Sequence, residues 1–149
     1  MSNTKLQIYT DGACLGNPGP GGWAAIIIEN GQERVFSGND NMTTNNRMEL
    51  LAIIKALESI NENLELIIYT DSKYVINGIT SWIKNWEANS WKNSTKQPVK
   101  NVDLWKKLDM NAKKHNIEWI WVKGHSGNFF NEKVDEIARG QAQMLKSVK

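Results

Sequence analysis

Two tripeptides of identical composition, Tyr9-Thr10-Asp11 and Tyr69-Thr70-Asp71, each close an apolar run and leave an aspartate at its end. If those runs are parallel neighbours in one sheet, Asp11 and Asp71 stand side by side at its carboxyl edge, where open α/β sheets bind ligands. Glu49 falls early in an amphipathic stretch, on the side shared with Ile53 and Ala56, and can point into the same space. Asp135 follows the glycine-bearing segment 124–127 and is expected to open the last helix, a fourth carboxylate that could converge there. Two unit charges about 4 Å apart repel by roughly 4 kcal/mol at an effective dielectric of 20, so such a cluster either protonates in part or holds cations. All-oxygen donors select magnesium, or manganese in its place, rather than zinc. Two such ions can hold the attacking water and the leaving oxygen of one phosphodiester. A lone aspartate at a strand end is also an ordinary turn former or helix cap, so convergence depends on the topology.

The elements that would position these acids follow from periodicity. Residues 5–11 alternate in part and read as a strand. Residues 12–22 carry five glycines and two prolines and read as a loop leading to a second strand at 23–28. Asn30-Gly31 is a hairpin turn, with the returning strand at 32–37. Leu50, Ile53, Ile54 and Leu57 then fall at i, i+3, i+4 and i+7, the stripe of a helix, with Thr43, Thr44, Asn45 and Asn46 as cap candidates. The continuous run 64–69 reads as a strand covered on both faces. Helical segments at 72–89 and 102–115, a strand at 117–122 and a helix at 131–146 complete the chain. Right-handed crossovers make the first, fourth and fifth strands parallel, with the hairpin at one edge. The fold class is α/β with a mixed sheet.

A chain of 149 residues that is 40% hydrophobic suits one domain, spanning 1–149. The longest apolar run, 23–28, is far short of the roughly 20 residues needed to cross a bilayer. The first residues lack the pattern of a secretory signal, and Cys14 is a lone cysteine expected to be buried as a small apolar group. The expected location is the cytoplasm and the expected state a monomer. The net charge of +2 hides a local excess: residues 82–107 hold Lys84, Lys92, Lys96, Lys100, Lys106 and Lys107 against Glu87 and Asp103, or 6 − 2 = +4.

Six ordered motifs resemble type 1 ribonuclease H over roughly residues 5–145. They are Tyr9-Thr10-Asp11-Gly12, Asn17-Pro18-Gly19-Pro20-Gly21-Gly22, Thr43-Thr44-Asn45-Asn46-Arg47-Met48-Glu49, Thr70-Asp71-Ser72, Trp121-Val122-Lys123-Gly124-His125, and Asn131-Glu132 through Asp135. The resemblance implies a mixed five-stranded sheet of order 3-2-1-4-5 and two Mg2+ ions held by Asp11, Glu49, Asp71 and Asp135. It further implies cleavage of the RNA strand of an RNA·DNA hybrid, leaving a 5′-phosphate and a 3′-hydroxyl, with His125 assisting proton transfer or product release. Histidine titrates near neutrality and suits either task.

The family also implies that Asn17, Asn45 and Asn46 approach the minor groove and that Thr44 meets a DNA phosphate. The 2′-hydroxyl is the feature that separates RNA from DNA. Trp82, Lys92, Lys96, Lys100, Asn101 and Trp105 resemble the family's basic protrusion, which contacts DNA through phosphate and sugar. Trp82 and Trp86 lie at i and i+4, so one of them is expected to pack the helix. Trp23, Trp119 and Trp121 read as strand and core residues, and His115 as a solvent-facing helix end. The chain departs from familiar members at Met42, where an arginine can help hold phosphate, and at Lys73, where glutamine is common. It also carries two aromatics, Phe129 and Phe130, beside the His125 loop.

Three other classes would leave different marks on the sequence. A strand-transfer or resolving nuclease would space its acids differently. A non-catalytic hybrid-binding module would lack a carboxylate, and a small-molecule kinase would need an adenosine-binding half and a longer chain.

Overall fold

The computed structural model describes residues 5–61, 63–123 and 128–147, with side chains as far as residue 145. Three strands run first: β1 (Leu6–Cys14), β2 (Gly19–Glu29) and β3 (Gln32–Thr43). They are followed by α1 (Asn45–Glu58), β4 (Glu65–Thr70) and α2 (Lys73–Asn77), which passes through a π turn (Gly78–Trp82) into α3 (Ile83–Ala88). The chain ends with α4 (Val102–Ala112), β5 (Asn116–Trp121) and α5 (Phe129–Ser147). The sheet order is β3-β2-β1-β4-β5, with β1 antiparallel to β2 and parallel to β4, and β4 parallel to β5. This is the expected mixed sheet.

The two Tyr-Thr-Asp ends lie in step. Tyr9 pairs with Tyr69 in the parallel register, and their rings stack with centroids 4.3 Å apart. One sheet face, through Ile8, Ile27, Leu66 and Ile68, packs on Leu50, Ile53, Ile54 and Leu57 of α1 and on Trp105 and Leu108 of α4. The helical stripe read from the sequence is therefore the buried one, each such side chain contributing roughly 1.5–3 kcal/mol. On the other face Tyr9, Ala24 and Ile26 meet Val134 and Ala138 of α5. No helix among the described residues is long and apolar enough to cross a membrane.

Several expectations need correction. The loop expected at 12–22 shrinks to residues 15–18, because Gly19, Gly21 and Gly22 lie inside β2. Their lack of a side chain serves close packing rather than turning. A Cβ on Gly22 would stand 2.2 Å from the Ala138 carbonyl of α5, and one on Gly12 would stand 2.4 Å from the Glu49 nitrogen of α1. β3 continues to Thr43 rather than stopping at 37. In β4 only one face is fully buried, with Ile67 and Tyr69 half-buried on the other. Trp121 is exposed rather than core. His115 is half-buried, its Nδ1 accepting from the Leu64 N–H at 3.2 Å. Cys14 is also half-buried, its Sγ 3.3 Å from the Thr43 carbonyl.

Candidate active site

Asp11 lies within β1 and its Oδ1 accepts from the Gly12 N–H at 2.9 Å. The bare Gly12 lets α1 close down on the strand. Thr44 caps that helix, its Oγ1 accepting from Arg47 N at 3.3 Å, and one turn later Glu49 is delivered over Asp11. Asp71 follows the last residue of β4, and Ser72 then caps α2 through Val75 N–H at 3.2 Å, so the chain turns away and leaves the Asp71 side chain at the sheet edge. Asp11, Glu49 and Asp71 each offer one oxygen, and these atoms lie within 4.8 Å of one another.

The electrostatics match that crowding. Burial, then the charge of Asp71, then a hydrogen bond with Asp135 push the Asp11 carboxyl up to about 8. Burial, then Asp11 and Asp71, hold the Glu49 carboxyl well above its usual range. Glu49 is 5% exposed, and its Oε1 is buried with no hydrogen-bond partner among the described residues. A buried acceptor without a donor is expensive, and a cation is the partner that would satisfy it. The donor set, all carboxylate oxygen, fits a hard divalent ion.

The fourth acid is placed differently from expectation. Asp135 lies in the second turn of α5 instead of opening the helix, since α5 begins at Phe129. It comes close enough to Asp11 to help raise that carboxyl, while its Oδ2 takes Arg139 Nε at 3.1 Å and Nη2 at 3.0 Å. It therefore borders the trio, already partnered by a cation of its own helix. His125 lies outside the described residues.

Along the α1 side, the Asn17 Oδ1 accepts from the Asn45 N–H at 2.8 Å, which ties the 15–18 connection to the start of α1 and holds Asn17, Thr44, Asn45 and Asn46 together. Asn101, at a left-handed φ of 60°, receives Arg47 Nη1 at 3.2 Å and donates to the Tyr74 hydroxyl at 3.0 Å. Lys92 and Lys96 line an open groove of ≈ 670 Å³ with Trp86, and Lys100 is exposed. Both acids of this segment are taken by cations from outside it: Asp103 by Arg47 at 2.7 Å and Glu87 by Lys113 at 2.9 Å. Its six lysines are thereby less neutralised by their own segment than the sequence count suggested.

The tryptophans divide. Trp82 is half-buried, edge-on to Tyr74 at 5.6 Å and 5.8 Å from Trp86, and keeps some surface. Trp105 is fully buried, with its Nε1 donating to the Tyr74 hydroxyl at 2.9 Å. The expectation that Trp105 meets nucleic acid is corrected: it packs α4 against Gly78 of the π turn, where a Cβ would stand 2.1 Å from its ring. Sequence reading missed Arg47, Arg139 and the exposed Trp121. Arg47 lay inside a quoted motif, and Arg139 at i+4 from Asp135 was a visible ion-pair spacing.

The RNase H family model matches residues 3–143. The ribonuclease H of Salmonella arizonae is 55% identical over 138 residues, which cover 93% of this chain and 89% of that protein. The ribonuclease H of Salmonella newport matches to the same extent. Among solved structures, LC9-RNase H1, described as a type 1 RNase H with the type 2 active-site motif, superposes with a TM-score of 0.85 at 30% identity, over 97% of this chain and 75% of that one. LC11-RNase H1, solved in complex with RNA/DNA hybrid, shares the fold at a TM-score of 0.74 and 23% identity, over 96% of this chain and all of that one. A match across nearly the whole chain, on the sheet order and carboxylate cluster described above, means that the chain belongs to the ribonuclease H family of nucleases.

Proposed function

We propose that this chain cuts the RNA strand of RNA·DNA hybrids at the Asp11–Glu49–Asp71 cluster, with Asp135 as a fourth ligand, leaving a 5′-phosphate and a 3′-hydroxyl. The observation that carries the reading is three carboxylates within 4.8 Å, one of them presenting a buried oxygen with no partner among the described residues. Asp11, Glu49 and Asp71, joined by Asp135, would hold two Mg2+ ions, or Mn2+ in their place. Bound divalent ions supply an activated water and stabilise the leaving oxygen of a phosphodiester.

The chain's own residues do the rest. Gly12 lets Glu49 approach Asp11, and Arg139 holds one oxygen of Asp135 so that the carboxylate stays oriented at the rim. His125 takes or gives a proton as the product leaves. Asn17, Asn45 and Asn46 read the minor groove, and Thr44 and Asn101 meet a DNA phosphate. Lys92, Lys96 and Lys100 add phosphate affinity without sequence choice, and Trp82 offers its remaining surface to a sugar. The protein acts as one domain over 1–149, as a monomer in the cytoplasm.

One gel tests the reading. A strand-labelled RNA·DNA hybrid is run beside RNA·RNA, DNA·DNA and single-stranded RNA, each with Mg2+ or chelator. Mg2+-dependent cutting of RNA in the hybrid alone is the expected result. Cutting of DNA, or binding without cutting, overturns it.

A further inference from the structure

Beyond the carboxylates, the sheet edge carries an exposed aromatic and a cation that no part of the proposed mechanism uses. Trp121, the last residue of β5, pairs in register with Thr70 at the end of β4 and is 41% exposed. Its Nε1 donates to the carbonyl oxygen of Asp71 at 3.2 Å, so the indole is anchored to the residue that supplies one of the three clustered carboxylates. Because Ser72 caps α2, the chain turns at once and Lys73 emerges back over that ring, its Nζ 4.9 Å from the centroid. Lys73 is exposed. It takes part in none of the ion pairs among the described residues, although Asp71 is two residues away.

A cation resting on an aromatic face is oriented by it while its N–H donors stay available to an anion. An exposed ammonium held in place beside a phosphodiester-cutting site is therefore suited to a phosphate. We propose that Lys73, carried on Trp121, binds a backbone phosphate of the cleaved strand next to the bond being cut. The strand follows from the geometry. The scissile phosphate must reach the Asp71 carboxylate, and the Asp71 peptide, the Trp121 ring and the Lys73 ammonium are in consecutive contact on the β5 side of the cluster. On the hybrid-cutting reading, the six-lysine segment serves the other strand. The inference rests on the hybrid-cutting reading above.

The test is binding of a fluorescent hybrid in chelator, where no cutting occurs, between about 50 and 200 mM salt. Lys73→Gln is compared with the parent and with Lys55→Gln, the same charge change at the far end of α1. Lys73→Gln is expected to weaken binding about fivefold at low salt and to reduce the log–log salt slope by about 1, with an unchanged Tm. Lys55→Gln should match the parent. Neutral methylphosphonates introduced one at a time should then identify a single RNA-strand position beside the cut site where the parent loses affinity and Lys73→Gln loses nothing further. An unchanged slope, a matching position on the DNA strand, or a loss confined to kcat with unaltered binding overturns the proposal. The parent's cutting of hybrid in Mg2+ is scored separately. If the parent cuts and the slope is unchanged, this inference alone fails. If the parent does not cut hybrid, the underlying reading fails.

Discussion

The carboxylate cluster and the basic segment at residues 82–107 meet the same polyanion by opposite means. Each acid of the cluster stands on a different rigid element: Asp11 on β1, Glu49 on α1, Asp71 after β4 and Asp135 on α5. Asp11 and Glu49 are buried where they meet, and burial, then the charge of Asp71, pushes Asp11 to about 8. Lys92, Lys96 and Lys100 of the basic segment stand on an exposed connection shaped by short polar bonds, such as the Asn93 Oδ1 that accepts from Thr95 N and Gln97 N, both at 3.0 Å. Ser90, Trp91, Lys96 and Asn101 take positive φ there. Reaction chemistry requires joint placement in low dielectric, so losing one member loses most of the effect. Phosphate affinity is a sum of screened, nearly independent charges, so losing one member costs only its share.

The largest effect that would break this contrast is expected from Asp11→Asn. Cutting should fall by at least about 10³-fold, since a metal ligand contributes several kcal/mol to the transition state. Hybrid binding in chelator should persist, and comparable cutting by mutant and parent would overturn the assignment. The next is Gly22→Ala. Its Cβ would meet Ala138 O at 2.2 Å and Ala142 N at 2.7 Å, both backbone atoms. α5 must shift and carry Asp135 with it. A loss of about 1–3 kcal/mol in denaturant unfolding is expected together with reduced activity, and an unchanged midpoint would show that the helix yields freely.

Metal removal and pH sharpen the same point. The Asp11 carboxyl in the fold, near 8, lies above its usual value of 3.8, so between those values the folded state binds more protons than the unfolded chain. Its contribution to stability is present in full below about pH 4 and is lost as pH rises through 8. In chelator, the Tm of the parent relative to Asp11→Asn should therefore fall between pH 5.5 and pH 8.5, and saturating Mg2+ should close the gap. A gap independent of pH and metal would contradict the crowded-acid account.

On the other side of the contrast, replacing Lys92, Lys96 and Lys100 together with alanine should reduce the salt slope of binding by about 3 while leaving kcat at saturation near the parent value. A kcat loss as large as that of Asp11→Asn would erase the distinction between the two regions. The smallest effect is expected from Met42→Arg. Met42 is 67% exposed, and an added cation there should tighten hybrid binding by about two- to fivefold at low salt, as measured by anisotropy.

Much of this architecture could be read directly from residue order. The i, i+3, i+4, i+7 stripe of Leu50, Ile53, Ile54 and Leu57 identified α1 and its buried face, because a helix of 3.6 residues per turn offers only one way to bury them together. The repeated Tyr-Thr-Asp ends located Asp11 and Asp71 at a strand edge, and the ordered motifs named the family and its four acids. Exposure of individual side chains was decided elsewhere. Trp82 and Trp105 carry the same side chain in the same basic segment, yet Trp105 is enclosed by Tyr74, Trp86 and Gly78 while Trp82 keeps surface. Trp121 stands in an apolar strand yet is 41% exposed, with the Lys73 ammonium rather than an apolar side chain over its ring. The glycines at 12–22 signalled a loop, whereas tertiary packing used Gly12 and Gly22 to admit two helices. The sequence by itself determined which residues form each element and which face is apolar, since those properties are local and periodic. Only the tertiary structure decided which ring is covered, which acid is left without a partner and how far a carboxyl's pKa is raised, because each depends on atoms brought together from distant parts of the chain.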